Sequence, residues 1–308
     1  MGTLQKAATI VAPAEAQGRN DAAASRVAAQ LEQIALARIE QDRLAIPSLP
    51  QVATKCLEVL RKNDFSAKKV TELIESDPIL AVRILRTANS AAFGARQPSS
   101  NIAHAVTFLG ANKLKTVLME AAARPIFESR DARIAKATQG LWDHSVGVAI
   151  LARDLSVRLC VGDAEDAYLA GLLHDVGKPV LATLLLEAEN IMAMRSISDW
   201  MDSSVWVETL QKSHRAVGVA VARKWSIPEK AIQAIADCGD YDATDERSIA
   251  NLVRLANALT KQAGLYVGTT DAAEVETLIT IGTSLLGVDQ DAVAALCKGL
   301  VERVRGRG

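Results

Sequence analysis

The stretch LLHDVGK at Leu172–Lys178 decides the fold, together with LWDHS around His144. The first places a histidine beside an aspartate at the end of an apolar run, and the second supplies another histidine one helix earlier. Imidazole and carboxylate groups together can hold a divalent ion that activates water against a phosphoester. The two stretches therefore predict the beginning of a metal site, although the remaining ligands of such a site are hard to find in the chain.

The composition limits the classes of protein to consider. The chain has 308 residues, and its 49% hydrophobic but only 4% aromatic content favours small, closely packed helices. The net charge of −1 gives no electrostatic argument for nucleic acid or an acidic membrane as a partner. The four cysteines are scattered without a CxxC pair, which is typical of a reducing cytoplasm. No apolar run approaches the ~20 residues that span a bilayer. We expect a cytoplasmic protein.

Apolar periodicity predicts helices over most of the chain. Residues 1–20 are Ala-rich without periodicity, and we expect them to be disordered. IPSLP at residues 46–50 interrupts the helical pattern, because the residue before a proline avoids the helical region. Strand alternation is nowhere sustained, so the predicted fold class is all-α. Residues 22–44 form a predicted amphipathic helix on four apolar positions: Val27, Leu31, Ile34 and Leu44.

Two helix starts have recognisable caps. Ser66 precedes a helix that directs Val70 and Ile74 inward. Asp77 precedes Pro78, and an aspartate accepts hydrogen bonds from the first amides while proline at the first helical position loses nothing.

Helical spacing directs three of the four histidines inward. His144 shares the buried stripe of its helix, His174 stands over the small residues of the preceding turns, and His214 lies on another apolar face. His104 points away from its apolar neighbours and is predicted to be a surface residue. The small residues below His174 leave room for the approach of another helix or of a metal cluster.

Each candidate also has a plain structural interpretation. A single inward histidine is commonly a core imidazole bonded to a backbone carbonyl. Asp175 is rarely buried without a partner, so an ion pair with His144 stays open as an alternative to metal binding. Lys178 either contacts a phosphate or is an ordinary solvated lysine.

The chain resembles the HDOD family, a bacterial signalling branch of the HD phosphohydrolase superfamily. The resemblance covers about residues 45–240 and rests on these blocks: IPSLPQVATKCLEVL, LIESDPILAVRILRTANSAAFG, IAHAVTFLG, LWDHSVGVAILA, YLAGLLHDVGK and ETLQKSHRAVGVAVARKWSIPEKAIQAI. It implies a helical fold of two lobes, an N-terminal bundle and an HD-like bundle. The expected division is an N-terminal extension at 1–44, the HDOD domain at 45–241, and C-terminal helices at 242–308 that complete the HD-like bundle.

The resemblance also implies roles for individual residues. His144, His174 and Asp175 match the first three metal ligands of an active HD enzyme, and His214 matches an extra ligand of the cyclic-dinucleotide phosphodiesterases. Asn257 stands where the final aspartate is expected, so one unit of ligand charge is missing and affinity for a divalent ion should fall. We therefore expect no catalytic residues and no cofactor, with residual divalent-metal binding at these positions as the alternative.

The remaining family positions have simpler explanations. The N-terminal signature of the family is matched by four residues: Asp77, Asn89, Ser90 and Phe93. We interpret them as helix caps and a turn with a hydrophobic plug. Cys238-Gly239 correspond roughly to the His-His pair of the phosphodiesterases, and the GYP loop of those enzymes is absent.

Three functions remain open. The favoured one is a non-catalytic signalling module that binds a partner protein in a second-messenger, chemotaxis or motility network. The 44 residues before the family region and the 68 after Asp240 are too few for a receiver or cyclase domain, so the partner is expected on a separate chain. The alternatives are a metal-dependent phosphohydrolase acting on a nucleotide or cyclic dinucleotide, and a sensor that binds a nucleotide second messenger without cleaving it.

Overall fold

The computed structural model describes residues 29–41, 51–60, 66–89, 98–128, 135, 138, 140–194, 203–266 and 270–306. Within these ranges every regular element is helical and no strand occurs, which confirms the all-α class. We number the described helices in chain order: α1 29–40, α2 Gln51–Leu60, α3 Ala67–Glu75, α4 Pro78–Ala88, α5 Ile102–Phe127, α6 Leu141–Leu159, α7 Ala164–Leu173, α8 Gly177–Met194, α9 Ser203–Lys224, α10 Glu229–Asp237, α11 Ile249–Gln262, α12 Ala272–Leu286, α13 Gln290–Cys297 and α14 Leu300–Arg305.

The N-terminal lobe consists of α2 to α5, which pack on one another. Both predicted caps are confirmed. The Ser66 side chain accepts from Lys69 N, and Asp77 Oδ1 accepts from Ile79 N and Leu80 N with Pro78 at the first helical position. Capping satisfies amides that the helix itself leaves without partners.

Helix α5 belongs to both lobes because it bends at Gly110. This glycine has φ 66° and ψ 177°, a backbone conformation that other residues rarely adopt. The arm after the bend is tied to α7 by two hydrogen bonds. Thr116 Oγ1 lies 2.5 Å from Glu165 Oε2, and Tyr168 Oη donates to Glu120 Oε2 at 2.7 Å.

The HD-like bundle is built around α6, which packs on α7 and α11. Small residues make both contacts close. A Cβ at Gly171 of α7 would lie 2.8 Å from Ala149 Cα of α6, and one at Gly147 would lie 2.8 Å from Thr260 Cγ2 of α11. The small residues below His174 thus allow a second helix to approach, as the sequence predicts. The remaining helices pack around this centre, α8 and α10 on α9, α12 on α11, and α13 and α14 on α6.

Helix α1 is amphipathic, but its predicted inward face is partly wrong. Leu31, Ala35 and Ile39 are buried, whereas Ile34 is 46% exposed. The buried positions recur every four residues from Leu31, and Ile34 falls beside that row. The predictions for residues 1–20, Val27, Leu44, Ser90 and Phe93 lie outside the described residues.

One stretch of the described chain, Ala164–Ala188, is long and apolar enough to span a membrane by length and composition, with mean hydropathy 1.4. The prediction that no run of this length exists is therefore wrong. However, 89% of the apolar window is buried inside the fold, because α7 and α8 form part of the core. It has the character of a core segment of the bundle.

Candidate functional site

Four helices bring the predicted site residues together around one turn. Helix α7 ends at Leu173, residues 174–176 form a turn, and α8 begins at Gly177, so Asp175 lies between two helices. His144 comes from α6 and His214 from α9. A Cβ at Gly177 would overlap the carbonyl oxygen of His214, so this glycine allows α9 to approach the turn. His144, His174, Asp175 and His214 are all buried, and His104 is exposed, as the sequence predicts.

The carboxylate of Asp175 is the centre of the cluster. Its Oδ2 lies 3.4 Å from His174 Nε2 and 3.9 Å from His144 Nε2, and its Oδ1 lies 3.2 Å from His214 Nε2. The rings of His144 and His174 have their centroids 5.3 Å apart. One carboxylate therefore faces three imidazoles, which come from α6, from the turn after α7 and from α9.

Backbone contacts fix the orientation of the imidazoles, including those of His144 and His174. His144 Nδ1 lies 2.8 Å from Leu265 O, and His174 Nδ1 lies 2.8 Å from Gly171 O. A carbonyl oxygen can only accept, so Nδ1 carries the hydrogen in each neutral ring and Nε2 carries a lone pair. Both Nε2 lone pairs then point at the same side of the site as the Asp175 carboxylate, an arrangement that a cation would stabilise.

The pKa values agree with neutral His144 and His174 rings beside an ionised Asp175 carboxylate. Burial, reinforced by the nearby His174, lowers the pKa of His144 from 6.5 to about 3. Burial also lowers the pKa of His174 to about 4, and the negative Asp175 opposes that shift only in part. Burial alone would raise the pKa of Asp175, but His174, the Lys178 ammonium and His214 hold it well below its usual range.

The donor atoms fit one divalent ion. One ligand atom each from His144, His174 and Asp175 can be chosen so that all three lie within 4.8 Å of one another. Seven buried side-chain N or O atoms of the described residues have no hydrogen-bond partner, and three of them are His144 Nε2, His174 Nε2 and Asn257 Oδ1. Unpaired buried acceptors are costly unless something coordinates them. These residues are therefore the ones that would hold an ion, with the neutral side-chain oxygen of Asn257 as a fourth ligand.

Lys178 competes for the same carboxylate. Its Nζ donates to Asp175 Oδ2 at 2.6 Å, and its side chain is only 16% exposed. The interpretation of Lys178 as an ordinary solvated lysine is therefore wrong. The lysine lies on the first turn of α8, three residues after Asp175, a separation at which helical side chains meet.

The cluster opens into a cavity of about 370 Å³, which we call the HD pocket. Its wall includes cationic side chains that the sequence analysis missed: Arg215, Arg254 and Lys261. Arg254 Nε is buried without a partner, and Lys261 Nζ lies 4.9 Å from the centre of the Tyr266 ring. Burial, together with the charge of Lys178, lowers the pKa of Lys261. The pocket therefore combines acceptors that suit a cation with donors that suit an anion.

A sequence signal for two of these cations, Arg254 and Lys261, exists in α11. Arg254, Asn257 and Lys261 recur at i, i+3 and i+7, which places them on one side of a helix that is otherwise mostly buried. Two acidic residues also line the pocket, Asp271 and Glu274. Asp271 already caps α12, where its Oδ1 accepts from Ala273 N at 2.8 Å.

The N-terminal family positions within the described chain act as caps and turn contacts. Asp77 caps α4. Asn89 ends α4, where its Oδ1 accepts from Ser99 N at 2.6 Å and its Nδ2 donates to Ser99 O at 3.1 Å. In the HD pocket, burial raises the pKa of the Cys238 thiol to about 11, so it is a poor metal ligand near neutral pH.

The chain is similar to a known family and to solved helical proteins. A family model described as HDOD domain matches residues 46–240. A Treponema pallidum (strain Nichols) protein named only as uncharacterized is 28% identical over 200 residues, 62% of this chain. That match covers 37% of the relative, so the chain spans well under two thirds of its length.

Two solved structures share the fold. A Shewanella amazonensis protein, provisionally named a metal-dependent phosphohydrolase, has TM-score 0.69 and 23% identity, with 90% of this chain and 99% of that one covered. A Marinobacter aquaeolei protein, provisionally named a signal transduction protein, has TM-score 0.63 and 23% identity, with 94% of this chain and 65% of that one covered. At these identities the similarity shows the helical fold alone.

Proposed function

The chain belongs to the HDOD family, and we propose that it is a regulatory signalling module that acts by binding a partner protein and does not hydrolyse phosphoesters. The name of the Marinobacter aquaeolei neighbour is in keeping with a signalling role. We further propose that the partner is a separate chain in a second-messenger, chemotaxis or motility network. A cytoplasmic location is proposed with it, supported by four cysteines that are all unpaired.

The observation that carries the proposal is the charge of the donor set. Among the residues that the structure describes, Asp175 is the one carboxylate within ion-pair distance of His144 and His174, and Lys178 already balances it at 2.6 Å. Asn257 supplies a neutral oxygen where the family resemblance expects an aspartate. A divalent ion would thus be bound by a single carboxylate, that of Asp175, whose charge Lys178 also neutralises. Metal-assisted hydrolysis requires a firmly bound ion.

We also propose that residues 242–308 complete the HD-like bundle around the domain at 45–241. This is supported by the packing of α11 on both α6 and α7, and by Arg303 of α14, whose Nη2 donates to Asp154 Oδ2 at 2.5 Å. We propose that residues 1–44 form an N-terminal extension of the HDOD domain. Arg38 of α1 pairs with Glu187 of α8 at 2.6 Å.

The test is an assay of phosphoester hydrolysis on the purified full chain, loaded in turn with Mn²⁺, Fe²⁺, Mg²⁺ and Zn²⁺. Bis(p-nitrophenyl) phosphate and cyclic dinucleotides serve as substrates. We expect no turnover above that of the matched variant His174→Ala. Turnover in the native chain that disappears in His174→Ala would contradict the proposal.

A second candidate is a metal-dependent phosphohydrolase, favoured by the unpartnered Nε2 atoms of His144 and His174. A bound divalent ion would lower the pKa of a water molecule and polarise a phosphoryl oxygen. This chain would contribute His144, His174 and Asp175 as ligands and the pocket cations as phosphate contacts. Stoichiometric metal in the purified protein, together with the turnover described above, would support this candidate over the first.

A third candidate is a sensor that binds a nucleotide without cleaving it, favoured by the unpartnered Arg254 Nε and by Lys261 in the same cavity. Binding to the folded state raises the melting temperature by mass action. A nucleotide-dependent rise that persists in excess chelator, and that is lost in Lys261→Gln, would favour the sensor over the hydrolase.

A further inference from the structure

A second cavity lies away from the HD pocket, between the N-terminal lobe and the first turn of α6. It has a volume of about 250 Å³ and is lined by eight residues, none of which lines the HD pocket. Three of them are arginines from two helices, Arg83 and Arg86 on α4 and Arg124 on α5. We call this cavity the arginine pocket.

Two of the guanidinium groups are held in place by the fold. Arg83 Nη1 donates to Ala121 O at 2.8 Å, which joins α4 to α5. Arg124 Nε donates to Glu128 Oε1 at 2.6 Å, and its guanidinium carbon lies 5.7 Å from the centre of the Trp142 ring. Trp142 is itself packed edge-on against Phe127, with ring centroids 5.5 Å apart. Arg83 and Arg124 are therefore positioned before any ligand arrives, which reduces the entropy cost of binding.

The described residues that line the cavity include three arginines and two glutamates. Glu128 is paired with Arg124, and Glu120 is 4% exposed and accepts a hydrogen bond from Tyr168. Arg83 has no carboxylate within ion-pair distance among the residues that the structure describes, and its single hydrogen bond goes to a backbone carbonyl. Counted over the eight described lining residues, three guanidinium groups and two carboxylates give a formal charge of +1.

The chemistry of the lining selects the ligand. Guanidinium groups present planar pairs of N–H donors that match the oxygens of phosphate, and Thr87 adds a hydroxyl to the same wall. The volume is below the ~300–1,000 Å³ of pockets that enclose a drug-sized molecule, which favours a compact group. We propose that the arginine pocket binds a phosphate group, either as free phosphate or as a small phosphate monoester.

The position of the site gives binding a structural consequence. Arg83 and Arg86 lie on α4 of the N-terminal lobe, whereas Arg124 lies on the arm of α5 after the bend at Gly110, which is tied to the HD-like bundle. A phosphate held by both sides joins the two lobes, so its binding should stabilise their packing. This inference does not depend on what the HD pocket binds.

The test is isothermal titration calorimetry of the full chain with inorganic phosphate, in chloride buffer of constant ionic strength and with chelator present. A parallel titration with glycerol phosphate distinguishes a monoester from the free ion. We expect saturable binding in the native chain, with a rise in melting temperature. Binding should weaken at least about tenfold in Arg83→Gln and in Arg86→Gln, because each change removes charge-assisted hydrogen bonds.

Two controls separate this site from other basic surfaces. Arg158→Gln removes an exposed arginine from α6 and should leave the affinity unchanged. Lys261→Gln alters the HD pocket and should also leave it unchanged. Binding that survives Arg83→Gln and Arg86→Gln but is lost in Lys261→Gln would place the phosphate in the HD pocket and overturn the proposal, as would the absence of saturable binding in the native chain.

Folding is checked in the same samples. Arg83→Gln removes a contact between helices, whereas Arg86 is exposed, so Arg86→Gln tests the proposal even if the first variant unfolds. Circular dichroism identifies an unfolded variant. A folded Arg86→Gln protein with native phosphate affinity would also contradict the proposal.

Discussion

Lys178 Nζ donates to Asp175 Oδ2 at 2.6 Å, and the same oxygen lies 3.4 Å from His174 Nε2. The ammonium therefore occupies one side of the carboxylate that a metal ion would also need. An ammonium and a divalent ion repel each other, so Lys178 and a metal compete for Asp175. Whether Asp175 binds Lys178 or a metal ion is set by residues of this chain, so substitutions should change the metal affinity.

Removal of the lysine charge should favour the metal. In Lys178→Met we expect the affinity for Mn²⁺ to rise at least about tenfold, measured by calorimetry. Without metal, the variant should lose on the order of 3 kcal/mol in the free energy of unfolding, because a buried carboxylate loses its partner. Lys113→Met, which alters an exposed lysine of α5, should change neither quantity. An unchanged Mn²⁺ affinity in Lys178→Met would argue against competition.

Restoration of the missing ligand charge should act in the same direction. In Asn257→Asp the unpartnered Oδ1 becomes part of a carboxylate, and we expect Mn²⁺ to bind at least about tenfold more tightly. Asn112→Asp adds the same charge at an exposed position of α5 and serves as the matched control. If the two variants bind metal equally, the cluster is a core polar network and does not form a metal site.

The buried imidazoles predict a loss of stability in mild acid. The folded-state pKa values of His144 and His174, about 3 and about 4, lie below their ordinary 6.5, so between these limits the unfolded chain binds protons that the folded chain excludes. Stability should therefore fall with pH from about 6.5 downward, by up to about 1.4 kcal/mol per pH unit for each ring. The depressed pKa of Asp175 acts in the same sense at lower pH, because its contribution is lost as pH falls through the folded value.

Urea unfolding of the metal-free chain between pH 7.5 and 4.5 measures this dependence. His174→Gln should reduce the slope by about one proton, and His104→Gln, at an exposed position, should leave it as in the native chain. Equal slopes in the native chain and His174→Gln would contradict the assignment of a neutral buried ring.

The close approach of α6 and α7 should depend on Gly171. In Gly171→Ala the added methyl group would lie 2.8 Å from Ala149 Cα, and overpacking of this kind costs about 1–3 kcal/mol. Gly218→Ala is the matched control within α9, where the nearest atom is 3.5 Å away and the higher helix propensity of alanine should offset any strain. A Gly171→Ala protein as stable as the native chain in urea would show that the two helices can separate without cost.

Local signals in the sequence predicted most of the fold and the centre of the site. The all-α class follows from apolar periodicity, and the caps at Ser66 and Asp77 follow from short-range chemistry. His144, His174, Asp175 and His214 were predicted to lie inward because each sits on an apolar face. The prediction that Ile34 faces inward was wrong. The apolar positions of α1 are few, so more than one face of this helix could pack on the core.

The contacts between helices could not be predicted in the same way. The pairing of Lys178 with Asp175 depends on the geometry of the turn between α7 and α8, which the sequence pattern does not define. The cavity around Arg83 and Arg124 forms only when α4 packs against α5, so it could not be predicted from either helix alone. The i, i+3 spacing of Arg83 and Arg86 in an apolar helix indicates no more than a polar surface there. Side chains that meet across the fold depend on helix positions that periodicity does not give.

The bend at Gly110 bears on how this protein could be engineered. Because both arms of α5 are packed and only the backbone at Gly110 departs from helical angles, the residue marks a natural junction between the lobes. A chimaera that exchanges the N-terminal helices with those of a relative should be joined at this glycine. The native bend would then follow the replacement helices, and the chain would enter the HD-like bundle in its native direction.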